Sequence, residues 1–423
     1  MNQTRKILPV YTSDVSGVCS ALYELGGMVV MHDPSGCNST YNTHDETRWY
    51  AQDSLIFISA LTERDAILGN DEKFYRDVRE TAEMLHPAFI AITNSPIPYL
   101  TGTDFPALVK RLQKETGIPS FYVPANGMHD YTMGAGRAYE CVARYLVMPA
   151  EEHCRSGVNL LGLTPLDYAA AGSASQIRSI FEAAGFEVIS SWAMADTAPG
   201  GAAEASGAVG GMQETDLLSG IRRAGEAGVN VVVSSTGLRA AKVLYERFGT
   251  PYVIGTPTGL FTGALTDAAR AAARRPDAWE ASQAAVYRQI PQEEAMGSSC
   301  TDERCAGPVT LVGEPVIMGS LAAAVRMETG RETQVICPTE VTADLLRTGG
   351  VDRPDACPGD RAVHGEEETQ AALRDASCII ADPFYRMIAP AEAAFYPLPT
   401  LSMSGRSHLK ETVNLAKLNR LCR

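Results

Sequence analysis

The stretch AFIAITNSPIPYLTGTDFPALVKRLQKETGIPSFYVPA (88–125) contains one complete strand–helix–strand unit. Its two ends, AFIAIT (88–93) and FYVPA (121–125), are short apolar runs that suit strands covered on both faces. Between them, FPALVKRLQKETG (105–117) carries apolar residues at helical spacing. Units of this kind build parallel sheets, so the stretch predicts an α/β fold of Rossmann-like type.

The same alternation recurs along the chain. Further apolar runs that predict strands are MVVMH (28–32), LIFISA (55–60), VNLLGL (158–163), VNVVVSS (229–235), PYVIGT (251–256), VTLVG (309–313), TQVICP (333–338) and SCIIAD (377–382). Helical periodicity lies between them, in DEKFYRDVRETAEMLH (71–86), GSASQIRSIFEAAG (172–185) and SSTGLRAAKVLYERFG (234–249). We therefore predict three Rossmann-like parallel-sheet domains, at 1–150, 151–305 and 306–423, the last ending in an amphipathic helix at 408–421.

Composition excludes several classes of protein. The chain has 423 residues, a net charge of -14 and no apolar run near the roughly 18 residues of a membrane span. An acidic chain without a Lys/Arg cluster is not expected to bind nucleic acid. The N-terminus, MNQTRKILPVYTSD, lacks the apolar segment of a secretory signal, so we expect a cytoplasmic protein, not attached to a membrane, whose 10 cysteines are reduced.

The turn HDPSGC (32–37), directly after a predicted strand, carries the first chemical signal. Gly36 permits a tight turn, and Cys37 after it can present its thiol at the edge of the sheet. Thiolates are the ligands that iron–sulfur clusters require. A lone turn cysteine is also a common structural residue, so this turn alone leaves both interpretations open.

Two further motifs favour the interpretation of Cys37 as a cluster ligand. Together with this turn, they resemble the nitrogenase component 1 family, which includes the nitrogenase α and β subunits and the dark-operative protochlorophyllide reductase subunits. The family pattern His-x-x-x-Gly-Cys matches 32–37. Its Glu-(Arg/Lys)-Asp-x-x-x-Gly helix start matches 63–73, through Glu63, Arg64, Asp65, Gly69, Asp71, Glu72 and Lys73. Its Cys-Pro-Ile turn matches 95–104, with Ser95 in place of the cysteine.

The resemblance implies an oxidoreductase subunit of a two-component, ATP-dependent reductase. In such systems a separate iron protein hydrolyses ATP and sends electrons to a cluster, here expected to be a [4Fe–4S] cluster, at the interface of two component 1 subunits. The chain has no GxxxxGK[ST] loop, so the ATPase is expected on another polypeptide. The electrons would pass on to a small-molecule substrate that the sequence does not identify.

The departures from the family pattern concern the cluster ligands. The family has three cysteines per subunit, but here the first position falls in YTSD (11–14) and the third is Ser95, so only Cys37 remains. A [4Fe–4S] cluster needs about four protein ligands. The resemblance therefore implies a hetero-oligomer, such as a heterotetramer, in which a second component 1 subunit supplies three thiolates. A homodimer would need further ligands such as Asp14 or Asp33.

Other candidate ligands are weaker. Ser95 and Ser13 would be poor oxygen donors to iron and are more simply turn or cap residues. Cys19 lies in the helix-like stretch 15–26 and is most simply a buried helix residue. Cys300 and Cys305 form a CxxxxC pair that lacks the second pair of a complete metal site.

Two histidines flank the cysteine turn, His32 before it and His44 after it. Imidazole titrates near neutral pH, so both are candidates for proton transfer, although a purely structural role is as common. The catalytic residues are otherwise unknown.

The second metal site of true nitrogenases has no counterpart in the sequence. Ser234 and Ser235 stand where the family has a cysteine, and His408 falls several residues late. We therefore expect no FeMo-type cofactor on this chain. Alternatives to a reductase are a scaffold for metallocofactor assembly and a cluster-free protein of the same framework that binds a small molecule or metal.

Overall fold

The computed structural model describes residues 5–34, 46–48, 55–69, 71–150, 152–192, 216–290, 307–340, 342–346 and 360–418. Within these ranges the chain forms three separate parallel sheets, which confirms the predicted α/β class. The predicted domain boundary near 150 lies between the first two sheets, and the one near 305 lies outside the described residues.

The N-terminal sheet has the order β2-β1-β3-β4. Its strands are β1 (Met28–His32), β2 (Ile56–Ile58), β3 (Ile90–Asn94) and β4 (Ser120–Val123). The chain leaves the central strand β1 toward β2 on one side and continues from β2 to β3 on the other side, so β1 and β3 define a switch point. Ligands of open α/β sheets bind at the carboxyl ends of strands at such a point.

The helices of this first part run between the strands. They are α1 (Asp14–Leu22), α2 (Glu63–Leu68), α3 (Asp71–Leu85), α4 (Pro96–Thr101), α5 (Phe105–Thr116) and α6 (Tyr131–Tyr145). Helices α1 and α6 cross at glycines. A Cβ on Gly134 would lie 1.9 Å from the carbonyl oxygen of Asp14, and one on Gly17 would lie 2.3 Å from that of Tyr131. The two backbones therefore touch directly.

The middle sheet repeats the first order, as β6-β5-β7-β8, and the C-terminal sheet has the order β11-β10-β9-β12-β13. The middle strands are β5 (Cys154–Leu161), β6 (Glu187–Ser191), β7 (Ala227–Val232) and β8 (Tyr252–Ile254); the C-terminal strands are β9 (Val309–Val312), β10 (Thr333–Cys337), β11 (Arg361–Ala362), β12 (Cys378–Ala381) and β13 (Ala394–Pro397). The remaining helices are α7 (Pro165–Tyr168), α8 (Ser173–Ala183), α9 (Asp216–Arg222), α10 (Leu238–Phe248), α11 (Phe261–Arg274), α12 (Pro315–Thr329), α13 (Gly365–Leu373) and α14 (Leu401–Ser404). One buried apolar cluster runs through all three sheets, from Val29 through Leu160 to Leu311.

The structure differs from the sequence prediction in two respects. Strands β6, β11 and β13 were not predicted, because they are short or partly polar and carry no sustained apolar run. The predicted helix at 408–421 is wrong: the described part has only 3-10 turns, Gly405–Glu411 and Leu415–Lys417, separated by extended backbone at Thr412. Burial of Leu415 and Ala416, and not helix formation, attaches this tail to the body. Within the described ranges, no helix combines the length and the apolar character needed to cross a membrane.

Candidate functional site

The switch point of the N-terminal sheet brings His32, at the end of β1, beside Asn94 and Ser95, at the end of β3. The chain leaves His32 toward Cys37, so the predicted cluster turn begins here. Cys37 itself lies outside the described residues, as do His44, Cys300 and Cys305. Their predicted roles remain predictions.

The imidazole of His32 is held rigidly in an apolar environment. Its Nδ1 lies 2.8 Å from the hydroxyl of Ser59, and its ring packs 4.1 Å from that of Phe74. Burial lowers the pKa of His32 to about 4, so the ring is neutral at neutral pH. Ser59 also accepts a hydrogen bond from the backbone N–H of Asp33 at 3.1 Å. The pair therefore fixes the direction in which the chain leaves β1.

The serine in the third cysteine position is buried. Ser95 is 2 % exposed, and its hydroxyl oxygen has no hydrogen-bond partner within the described part of the chain. Leaving a buried hydroxyl unpaired costs about 1–3 kcal/mol, so such a group merits a functional explanation. The side chain of Ser13, at the first cysteine position, does not cap helix α1.

Asp14 is, with Asp33, one of the two carboxylates considered for a homodimeric site. Its oxygens accept hydrogen bonds from the backbone N–H groups of Val15, Asn126 and Gly127, at 2.9, 3.0 and 2.9 Å. Burial raises the pKa of Asp14 despite these bonds. The carboxylate thus joins α1 to the loop after β4, and binding iron would require breaking these bonds.

The described cysteines do not complete a metal site. Cys19 is fully buried in the core side of α1, and burial raises the pKa of its thiol. Across the described ranges, no three His, Cys, Asp or Glu side chains are grouped so as to hold a metal ion. A [4Fe–4S] cluster therefore does not fit the described residues by themselves; Cys37 and donors from outside them would be needed.

The segment after the cysteine turn is anchored by an ion pair network. Arg48 donates to both carboxylate oxygens of Glu46, at 2.7 and 2.8 Å, and to Glu24 at 2.8 Å. It also donates to the carbonyl oxygen of Ser20 at 2.9 Å and lies over the ring of Tyr23. All of these charged groups are buried. Residues in α1 and directly after it therefore hold the chain at Arg48, after the cysteine turn, and Ser59 holds the chain at His32, before the turn.

The second family motif, at 63–73, forms a helix–turn–helix. Thr62 caps α2 by accepting from the N–H of Asp65, and Gly69, with φ 66°, ends it. Lys73 Nζ then donates to Asp65 Oδ2 at 2.9 Å across the turn. Asp65, Gly69 and Lys73 therefore stabilise the junction of α2 with α3.

Helices α2 and α4 pack against each other and carry exposed apolar side chains. We call this set the apolar edge surface: Ile67, Leu68, Ile97, Tyr99 and Leu100. Leu68 is 67 % exposed and Leu100 is 81 % exposed. Both helices follow strands that flank β1, so they lie at the end of the sheet where His32 ends β1.

A second polar region lies where the three sheets meet, and the sequence reasoning did not single out its acids. Tyr131 donates from its hydroxyl to Asp167 Oδ1 at 2.5 Å, and Ser234 donates to Asp167 Oδ2 at 2.8 Å. The N–H of Ser235 donates to Glu314 Oε1 at 2.7 Å. The usable signal was the position of Glu314, directly after the strand predicted at 309–313.

Tyr131, Asp167, Glu314 and Asp382 help to line a cavity of about 20 Å³, roughly the space of one water molecule. Burial raises the pKa of Asp167 to about 6 and that of Glu314 to about 8, and the charge of Asp167 adds to the rise at Glu314. His408 bonds to Glu411 instead and is not among the lining residues. The lining is carboxyl, hydroxyl and apolar, a set that does not suit an anionic, thiolate-anchored metal cofactor.

Three comparisons with known proteins bear on these sites. The family model described as nitrogenase component 1 type oxidoreductase matches residues 15–346. The nitrogenase iron-molybdenum cofactor biosynthesis protein NifE of Klebsiella pneumoniae is 25 % identical over 257 residues, covering 57 % of this chain and 50 % of that protein. Component CfbD of the Ni-sirohydrochlorin a,c-diamide reductive cyclase complex of Methanothermobacter thermautotrophicus is 25 % identical over 146 residues, covering 32 % and 38 %.

The nitrogenase molybdenum-iron protein alpha chain of Clostridium pasteurianum is 25 % identical over 174 residues, covering 38 % of this chain and 31 % of that one. The chain thus spans half or less of the length of these relatives. A solved structure titled nitrogenase Cp1 at pH 6.5 superposes with a TM-score of 0.67 at 15 % identity, covering 98 % of this chain and 92 % of that chain. At that identity the likeness concerns the fold.

Proposed function

The chain belongs to the nitrogenase component 1 family of oxidoreductases, and on that premise we propose that it is one subunit of a two-component, ATP-dependent reductase. Cys37 contributes one ligand to an interface iron–sulfur cluster, and a second component 1 subunit contributes the others. A separate iron protein hydrolyses ATP and delivers the electrons, which go on to a small-molecule substrate.

The apolar edge surface is the observation that carries this proposal. Soluble proteins rarely leave several large apolar side chains exposed together unless the surface binds a partner. Here the surface borders the point where the chain leaves β1 toward Cys37. A partner docked on it would lie beside the end of β1 and bring its own donors to the same edge.

The chain's own residues would prepare this edge for a shared cluster. A bound [4Fe–4S] cluster supplies one-electron transfer. The bond between His32 and Ser59 fixes one end of the cysteine segment, and Arg48 fixes the other. The buried hydroxyl of Ser95 lies at the same switch point and is open to a bond with a group from outside the described residues.

A scaffold for metallocofactor assembly is the second candidate, favoured by the similarity to NifE, an iron-molybdenum cofactor biosynthesis protein. A scaffold that holds a cluster in its interior needs soft donors there. The described lining of the three-sheet cavity instead offers Asp167, Glu314 and Asp382. The described lining thus offers no thiolate to an interior cluster, which keeps the scaffold as the second candidate.

One experiment tests the docking surface. The double variant Leu68→Glu, Leu100→Glu is co-expressed anaerobically with a component 1 partner subunit, and the complex is quantified by size-exclusion chromatography. We expect loss of the complex with unchanged folding, because charges would be buried in an apolar contact. The matched control is Met84→Glu, since Met84 is 75 % exposed but lies at the far end of α3, toward the opposite edge of the sheet. Equal loss in both variants would contradict the proposal.

A second experiment tests the cluster. Cys37→Ala in the complex is expected to lose most of the bound iron and sulfide and its electron paramagnetic resonance signal, whereas Cys154→Ala, at the start of β5, keeps them. If iron is retained in Cys37→Ala, the cluster assignment fails. ATP and an iron protein should then drive product formation by the intact complex; a cluster that forms without any turnover would favour the scaffold.

A further inference from the structure

The two consecutive residues Ser234 and Ser235, just after β7, each bind a different buried acid. Ser234 donates its hydroxyl to Asp167, which follows β5 in the same domain, and the N–H of Ser235 donates to Glu314, which follows β9 in the C-terminal domain. Glu314 also caps its own helix α12 by accepting from the N–H of Ile317 at 2.8 Å. The two carboxyl groups therefore converge on one short loop at the junction of two domains.

We propose that Asp167 and Glu314 form a pH-sensitive lock between the middle and C-terminal domains, closed while the pair holds a proton and weakened when both acids are ionised. The lock does not depend on the proposed function, since it uses only contacts within the chain.

The neighbours of the pair do not neutralise it. Tyrosine hydroxyls and a thiol face Glu314 from four elements: Tyr131 on α6, Tyr168 on α7, Tyr287 on the turn Val286–Arg288, and Cys337 on β10. Burial raises the pKa of each of these groups, so they are uncharged at neutral pH. The charge of Asp130, at the start of α6, acts on Asp167 in the same unfavourable sense as Glu314 would. Asp382 lines the same cavity.

The direction of the pH effect follows from the raised pKa values. Both acids bind a proton more tightly in the folded chain than in the unfolded chain, whose ordinary values are 4.5 for Glu314 and 3.8 for Asp167. The stabilisation is complete below those ordinary values and is lost as the pH rises through about 6 and then about 8. At that pH both carboxyl groups would be negatively charged in a buried space, with Asp167 bonded to Tyr131 and Glu314 bonded to the N–H of Ser235.

Amide hydrogen exchange in the full chain tests the lock. We compare peptides from the loop after β7 and from the first turn of α12 between pH 6.5 and 9, after correction for the intrinsic pH dependence of exchange. In the unmodified chain we expect exchange to accelerate at least ten-fold. In Glu314→Gln, which cannot ionise, we expect no acceleration.

The matched control breaks a contact between the same two domains that has no titratable group. The N–H of Thr256 donates to the hydroxyl of Ser320 at 2.8 Å. Ser320→Ala is expected to exchange faster at every pH while keeping the acceleration of the unmodified chain. Asp167→Asn provides the second variant if Glu314→Gln does not fold, and it should reduce the acceleration in the same way. An unmodified chain with no acceleration, or an acceleration that survives both acid substitutions, would overturn the lock.

Discussion

The substitution Gly134→Ala should disrupt the packing of the N-terminal domain, because no space exists for one methyl group. The added Cβ would lie 1.9, 2.5 and 2.7 Å from the carbonyl oxygen, carbonyl carbon and Cα of Asp14. An ordinary contact begins at 3.4 Å, so helix α1 would have to move by 3.4 − 1.9 = 1.5 Å. All three atoms belong to the backbone and cannot rotate away.

The expected cost can be estimated from this displacement. Overpacking a core by a methylene costs about 1–3 kcal/mol, and a rigid backbone neighbour places this site at or above the upper end. Alanine recovers up to about 1 kcal/mol through its helix propensity. A net loss of roughly 2–3 kcal/mol would lower the thermal midpoint by roughly 4–12 °C, at about 2–4 °C per kcal/mol for a unit of this size.

The assay is thermal unfolding followed by circular dichroism, combined with amide exchange of peptides from α1 and α6. The matched control is Gly263→Ala, the same substitution in the first turn of helix α11, where no described atom outside its own helix backbone and chain neighbours lies within 4 Å of the added Cβ. That variant should be more stable by about 0.5–1 kcal/mol. If the two alanines shift the midpoint in the same direction by similar amounts, the close crossing of α1 and α6 is refuted.

Three further substitutions test other parts of the structure. Arg48→Met leaves the carboxylates of Glu24 and Glu46 buried without their guanidinium, so we expect the free energy of urea unfolding to fall by about 3–5 kcal/mol. Adding Glu46→Gln should restore part of this loss, and no recovery would argue against the ion pair network. Asn159→Ala removes a side chain that donates to Asn230 Oδ1 at 2.7 Å in the middle sheet, so the urea midpoint should fall by the equivalent of about 1–3 kcal/mol, whereas an unchanged midpoint would mean that these buried polar groups find other partners. Ala60→Gly should raise the thermal midpoint, because φ of 52° costs an alanine about 1 kcal/mol that glycine does not incur; a lower midpoint would show that the residue is not strained.

The local pattern of apolar residues was sufficient to predict most strands of the three sheets. The strand over 28–32 and the unit at 88–125 were predictable because a strand buried on both faces needs a continuous apolar run, which is visible in the sequence. Strand β6 was missed because its residues Glu187, Ser190 and Ser191 are polar, so the segment carries no continuous apolar run. The family motifs likewise identified the edge at His32, because a turn and a helix cap need particular residues at fixed spacing.

Contacts between distant residues were decided by the tertiary structure. Nothing in the sequence near Asp167 or Glu314 indicates that both acids meet one loop, since that depends on how the second and third sheets pack together. The raised pKa values follow from the same packing, because burial at the junction removes water from both carboxyl groups. The sequence by itself determined the α/β class, the family and the candidate cysteine, all of which rest on neighbouring residues. Only the tertiary structure decided where glycines touch, that the Ser95 hydroxyl is buried without a partner among the described residues, and which acids lie at the domain junction, because proximity in space is set by sheet order and domain packing.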